Sequence, residues 1–210
     1  MIEKNRQFWG RLMKWRSECH SRFGSILEIP VASYEQELKE IIEGRRTMLD
    51  VGAGAHKPLK ALVEKAGVIY RSLDTDPDGV FDYRSFDEIP SEVAFDIVIA
   101  NQVIEHMGVD EAFDCVHSIF LKLTSGGVFF ATVPNAAHPV RQRDCTHITP
   151  WPSNDLYSLL RSAGFEVLKL RRYNKFAPTE DPFKKWIVKT VCQEFRIDWC
   201  DSILITGRKV

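Results

Sequence analysis

A short apolar run that ends on an acidic residue and breaks at once into glycines, Met48-Leu-Asp-Val-Gly-Ala-Gly54, constrains the fold of this chain more than any other stretch. Glycine has no Cβ and tolerates positive φ, so Gly52 and Gly54, with Ala53 between them, form a turn that lets backbone approach a ligand. Leu59, Leu62, Val63 and Ala66 follow at i, i+3, i+4 and i+7, opened by Pro58 and closed by Gly67, which is the pattern of a helix. Strand, glycine turn and helix in that order form the setting in which a Gly-rich turn binds a nucleotide. A Gly-x-Gly pair alone is common in turns, so specificity has to come from elsewhere in the chain.

It comes from a second acidic residue. Val68-Ile-Tyr-Arg-Ser-Leu73 reads as the next strand, and Asp74 stands at its end, 24 residues after Asp50. A carboxylate about 20 residues beyond such a turn is placed to hold a ribose hydroxyl. Two features argue against a pyrophosphate ligand. His56 stands where a third glycine would fall, and Asp50 lies just before the turn, where it would repel phosphate but could face an ammonium group. The ligand these residues suggest is a nucleoside with a cationic tail and no phosphates, and S-adenosylmethionine fits that description.

Further motifs follow in order: Phe95-Asp-Ile-Val-Ile-Ala-Asn-Gln-Val-Ile-Glu-His106 and Gly126-Gly-Val-Phe-Phe-Ala-Thr-Val-Pro-Asn135. Together with Asp50-Val-Gly-Ala-Gly54 and Asp74, this series resembles the successive motifs of class I S-adenosylmethionine-dependent methyltransferases over roughly residues 45–172. The resemblance implies an α/β fold, a Rossmann-like three-layer sandwich whose mainly parallel seven-stranded sheet ends in an antiparallel last strand. It implies cofactor contacts from Asp50, Gly52, Ala53, Gly54, Asp74, Thr75 and Asn101. Gly52 and Gly54 would admit the methionine part, and Asp74 would accept from both ribose hydroxyls. Asp50 would order the turn or face the ammonium group, and Asn101 would end its strand near the sulfonium. Many relatives hold adenine with an Asp five residues before a Pro; here that position is Ser85, with Asp82 and Asp87 as neighbouring candidates.

Strand and helix patterns alternate through the centre of the chain, as expected of a mainly parallel sheet. Strands are expected at 47–51, 68–73, 95–100 and 127–133, then from Phe165 to Leu170 and from Ser202 to Thr206. Residues 110–123 read as an amphipathic helix, and another runs from Ser153 to Gly164. Ser33 opens a helix with Gln36 in capping-box position and Gly44 at its end. Residues 3–23 form a basic, aromatic-rich helix that either lies on a membrane surface or, as expected here, caps the domain. The organisation is then a helical cap over 1–44 and a methyltransferase domain over 45–210. Residues 173–199 are longer than a hairpin loop and are expected to form a substrate-side flap.

Methyl transfer from a sulfonium needs alignment and exclusion of water, and a hydroxyl acceptor must also lose its proton, a task suited to imidazole. His106 follows Asn101 just after a strand, and His147 lies in Arg141-Gln-Arg-Asp-Cys-Thr-His-Ile-Thr-Pro150 between a strand and the next helix. Both are candidate bases. Arg141, Arg143 and Asp144 are candidate acceptor contacts, the arginines suiting a phosphate or nucleotide-sugar handle. The segment from Asp144 to Trp151 resembles small-molecule methyltransferases of glycan and natural-product biosynthesis, so O-methylation of such an acceptor, without a metal, is the expected activity. Two alternatives stay open. Gln102-Val-Ile-Glu-His106 with His147 partly matches the metal set of RNA 3′-end 2′-O-methyltransferases, with Gln102 in place of a first glutamate. A non-catalytic cofactor-binding scaffold is the other.

The 210 residues carry a formal net charge of −1, which gives no electrostatic case for nucleic acid. Five cysteines without a Cys-x-x-Cys pair suit a reducing compartment. Neither a signal peptide nor an apolar run of spanning length is visible, and a cytoplasmic location is expected.

Overall fold

The computed structural model describes residues 2–140, 144–174 and 181–210, with backbone only for 2–9 and 11. Six strands make one sheet: β1 (Thr47–Val51), β2 (Ile69–Leu73), β3 (Phe95–Asn101), β4 (Leu123–Pro134), β5 (Glu166–Tyr173) and β6 (Ser202–Arg208). Their order is β2-β1-β3-β4-β6-β5. The first four run parallel, and β6 lies antiparallel between β4 and β5. The helices are α1 (Ile2–Phe23), α2 (Tyr34–Ile42), α3 (Lys60–Lys65), α4 (Val109–Lys122), α5 (Ser153–Ser162) and α6 (Pro182–Phe195).

Three layers follow from period-two strands that are apolar on both faces. Leu49, Val51, Val98, Ala100, Phe129 and Ala131 share one face with Ala112, Val116 and Ile119 of α4 and Leu156, Leu159 and Leu160 of α5. Met48, Ile97, Ile99, Val128 and Phe130 share the other with Leu38, Ile41 and Ile42 of α2 and Val63 of α3. Helix α1 lies over α5. Arg16 grips Asp155 through two hydrogen bonds of 2.6 and 2.9 Å, Tyr157 donates to Glu18, and the Arg161 guanidinium stacks on Trp15.

The expected seventh strand is absent among the described residues. In its place a single parallel bridge joins Leu73 to Tyr83. Asp76-Pro-Asp-Gly79 turns the chain before it can extend along β2. Asp82 then bends its carboxylate back onto the Ser72 amide and hydroxyl, 2.9 and 2.7 Å away. No described helix is long and apolar enough to cross a membrane.

Candidate active site

In a parallel α/β sheet, ligands collect beyond the carboxyl ends of the strands, and the expected cofactor residues all gather there. At the end of β1, Gly52 has φ 69° and Gly54 φ 63°. Any side chain at Gly52 would run into Val103, whereas beside Gly54 the space is open. The turn is therefore sealed on one side and accessible on the other. Asp74 ties it to β2, because its Oδ2 accepts from the Gly54 amide at 2.8 Å and its Oδ1 from the Asp76 amide at 3.0 Å. Each carboxylate oxygen retains a second lone pair. Thr75 is exposed next to it.

Asp50 is nearly fully buried on the α2 and α3 face, and the Tyr70 hydroxyl donates to its Oδ2 at 2.6 Å. Burial lifts its carboxyl from 3.8 to about 6, opposed by the Tyr70 bond and aided by the charge of Asp74. The sign follows directly. The folded chain holds this proton more tightly than the unfolded chain, so stability falls as pH rises between about 4 and 6. Asp50→Asn keeps an acceptor for Tyr70 and removes the buried charge. It should therefore gain stability over the wild type at pH 7.5, by roughly 2–3 kcal/mol at most, with the gain shrinking towards pH 4. Thermal melts at both pH values check this, and an equal effect at both would contradict it.

At the end of β3, Asn101 accepts from the Thr132 hydroxyl through Oδ1. Gln102 then adopts φ 57°, a left-handed conformation uncommon outside glycine and concentrated at functional sites. Its amide donates to the Thr132 carbonyl at 3.0 Å and its Nε2 to the Thr132 hydroxyl at 3.3 Å. This reversal throws Val103 across Gly52 and starts the turn Ile104–His106.

That turn receives the connection between β4 and α5. The Ile148 and Thr149 amides both donate to the Glu105 carbonyl, at 2.8 and 3.1 Å. The Thr149 hydroxyl donates to Met107 O, and Trp151 Nε1 to Ile104 O. The strapping brings His147 onto His106, edge to face with ring centres 4.9 Å apart. His106 Nδ1 lies 3.2 Å from the Thr146 carbonyl. The Thr146 hydroxyl lies nearer the same nitrogen, at 3.0 Å, so Thr146 holds Nδ1 from two sides. Asp144 sits 3.7 Å from His147 Nε2, and the Thr146 hydroxyl and amide hold its carboxyl below the usual range, with smaller help from His147 and His106. Ligand atoms of Glu105, His106 and His147 lie within 4.8 Å of one another, with Glu105 buried. Arg141 and Arg143 lie outside the described residues.

A cavity of about 350 Å³ opens beyond β4, lined among others by Arg16, His20, Ser25, Asn135, Ser153 and Asn154. Its floor is rigid. Asn135 donates to Asp198 at 2.7 Å and to the Cys200 carbonyl at 2.8 Å, and Asp198 accepts from Arg172 at 2.8 Å.

Three residues here escape sequence reasoning: Tyr70, Val103 and Thr146. Tyr70 left a faint signal, because a tyrosine in an apolar strand needs a partner for its hydroxyl when buried. The positions of the other two depend on loop conformation, which carries no period to read.

The family model described as a methyltransferase domain matches residues 27–170. Solved structures of similar fold include an S-adenosylmethionine-dependent methyltransferase from Archaeoglobus fulgidus, 16% identical, with TM-score 0.65 over 92% of this chain and 94% of that one. Others are the cyclase SpnF, 19% identical, with TM-score 0.57 over 85% and 83%, and the N-methyltransferase NodS from Bradyrhizobium japonicum, 11% identical, with TM-score 0.57 over 83% and 93%. No curated protein matches the chain in sequence.

Proposed function

The chain belongs to the methyltransferase-domain family, as a class I S-adenosylmethionine-dependent enzyme, and on that premise we propose that it methylates a hydroxyl of a polar small molecule or glycan-type acceptor. The residues present suit the cofactor. The side of Gly54 that a Cβ would fill is open, and Asp74 keeps lone pairs for two ribose hydroxyls. Asp50 is a buried carboxylate whose ionised form an ammonium group would stabilise, directly or through water. When bound, S-adenosylmethionine supplies an electrophilic methyl group on a positively charged sulfur.

The observation that carries the reading is that the strapped connection brings His147 and Asp144 onto His106 of the 104–106 turn. In this proposal His147 takes the proton of the acceptor hydroxyl, with the Asp144 carboxylate beside the imidazolium that forms. His106 lies against it and orients the same hydroxyl. Arg141 and Arg143, on the same connection, hold an anionic handle. The cavity of about 350 Å³ beside Asn135, of mixed polar and apolar lining, has room for a small acceptor. SpnF is a cyclase and NodS an N-methyltransferase, so the choice of oxygen rests on the histidines.

A second reading is favoured by one observation, the approach of Glu105, His106 and His147 to within 4.8 Å of one another. In that reading a divalent ion acidifies a ribose hydroxyl of an RNA end. Gln102 occupies the position of a fourth ligand, but its Nε2 points at Thr132 and an amide is a poorer magnesium ligand than a carboxylate. Chelation separates the two readings. Turnover in EDTA is expected to stay unchanged; a loss reversed by magnesium, manganese or cobalt alone would assign the site to a metal.

A further inference from the structure

Helix α6 is capped by Asp181, whose carboxylate accepts from the Phe183 and Lys184 amides at 2.9 and 3.0 Å. Cys192 turns towards the protein and is buried. At 100° per residue, Phe183, Trp186 and Ile187 lie on the opposite side. They are exposed there to 66%, 61% and 40%, and the Phe183 and Trp186 rings stack at 6.1 Å. Scattered exposed apolar residues are ordinary, but a contiguous aromatic face on one helix marks an interaction surface.

Charge identifies the partner. Helix α6 holds Lys184, Lys185 and Lys189 against one acidic residue, Glu194 in its last turn, in a chain of formal net charge −1. By the same helical geometry Lys184 and Lys189 stand on either side of the aromatic face. A two-fold contact between copies would set these like charges near one another. An anionic bilayer instead takes aromatic rings at the boundary of headgroup and acyl chain, with lysines reaching the headgroups. We propose that α6 is an interfacial helix that docks this protein on anionic lipid. It enters from the carboxyl end of β5 and leaves into the start of β6. Because β5 and β4 both run antiparallel to β6, that is also the end of the sheet that holds the histidines. A docked protein therefore turns its active site towards the membrane.

Co-sedimentation with phosphatidylcholine vesicles, with and without phosphatidylglycerol, tests this. The protein should sediment with the anionic vesicles only, and added salt should release it. Trp186→Ser with Ile187→Ser, and separately Lys184→Glu with Lys189→Glu, should each cut partitioning by ~10-fold or more, while S-adenosylhomocysteine affinity stays level and confirms the fold. Absence of binding to anionic vesicles at low salt would overturn the proposal, as would partitioning that neither variant changes. A dimer dissolved by Trp186→Ser in a protein that ignores vesicles would assign the face to a second copy and overturn it too.

Discussion

Replacing His147 with alanine should cut kcat on the true acceptor by ~10²-fold or more while S-adenosylhomocysteine affinity stays level, as expected for loss of a general base. The loop should survive the change, because its hold on the 104–107 turn runs through the Ile148 and Thr149 amides, the Thr149 hydroxyl and Trp151 Nε1, none of which involves the imidazole. Asp144→Asn should lower kcat less, since it removes a charge beside His147 and leaves the ring in place. Steady-state kinetics and calorimetry together decide the matter. Normal turnover by the alanine variant would move the base to His106, and a parallel fall in cofactor affinity would make His147 structural.

Asp74→Ala should weaken S-adenosylhomocysteine binding by roughly 10- to 100-fold, the worth of a charge-assisted hydrogen bond at about 1.5–3 kcal/mol. Two effects add at this residue. The ribose hydroxyls would lose their acceptor, and the Gly54 and Asp76 amides lose the carboxylate that sets the turn. The rest of the domain is held by cores on both sheet faces that do not include Asp74, so circular dichroism should show the wild-type fold. Undiminished affinity by calorimetry would remove Asp74 from the cofactor site.

Much of this architecture is written in local pattern. The six runs expected to be strands are the six strands, because each combines apolar residues with the period that buries both faces. Ser33, Pro58 and Ser153 mark helix starts near where the structure has them. The seventh strand came from the resemblance alone, and the residues after Asp76 contradict it with turn chemistry. Within the site, the glycine turn and Asp74 were legible because they obey a spacing along adjacent strands. The contact between His106 and His147 was not. It depends on two amides meeting the Glu105 carbonyl across about forty residues of chain, and nothing periodic encodes that. Asp50 was read as a ligand group, yet its Tyr70 clamp was missed, because pairing across parallel strands depends on register. For α6, periodicity announced a helix but did not say which side would remain uncovered.

The missing outer strand leaves β2 at the margin of the sheet, where free backbone groups ordinarily invite a strand from another molecule. Here two side chains and the backbone of one residue stand in for the neighbour. Asp82 accepts from the Ser72 amide, Tyr83 receives the Ser72 carbonyl on its own amide, and the Arg71 guanidinium donates to the Tyr70 carbonyl. Arg71 and Asp82, 3.7 Å apart, also place charge of both signs along the rim. A margin closed in this way offers little template for cross-molecule pairing, so resistance to aggregation on this side is vested in two charged side chains and one tyrosine.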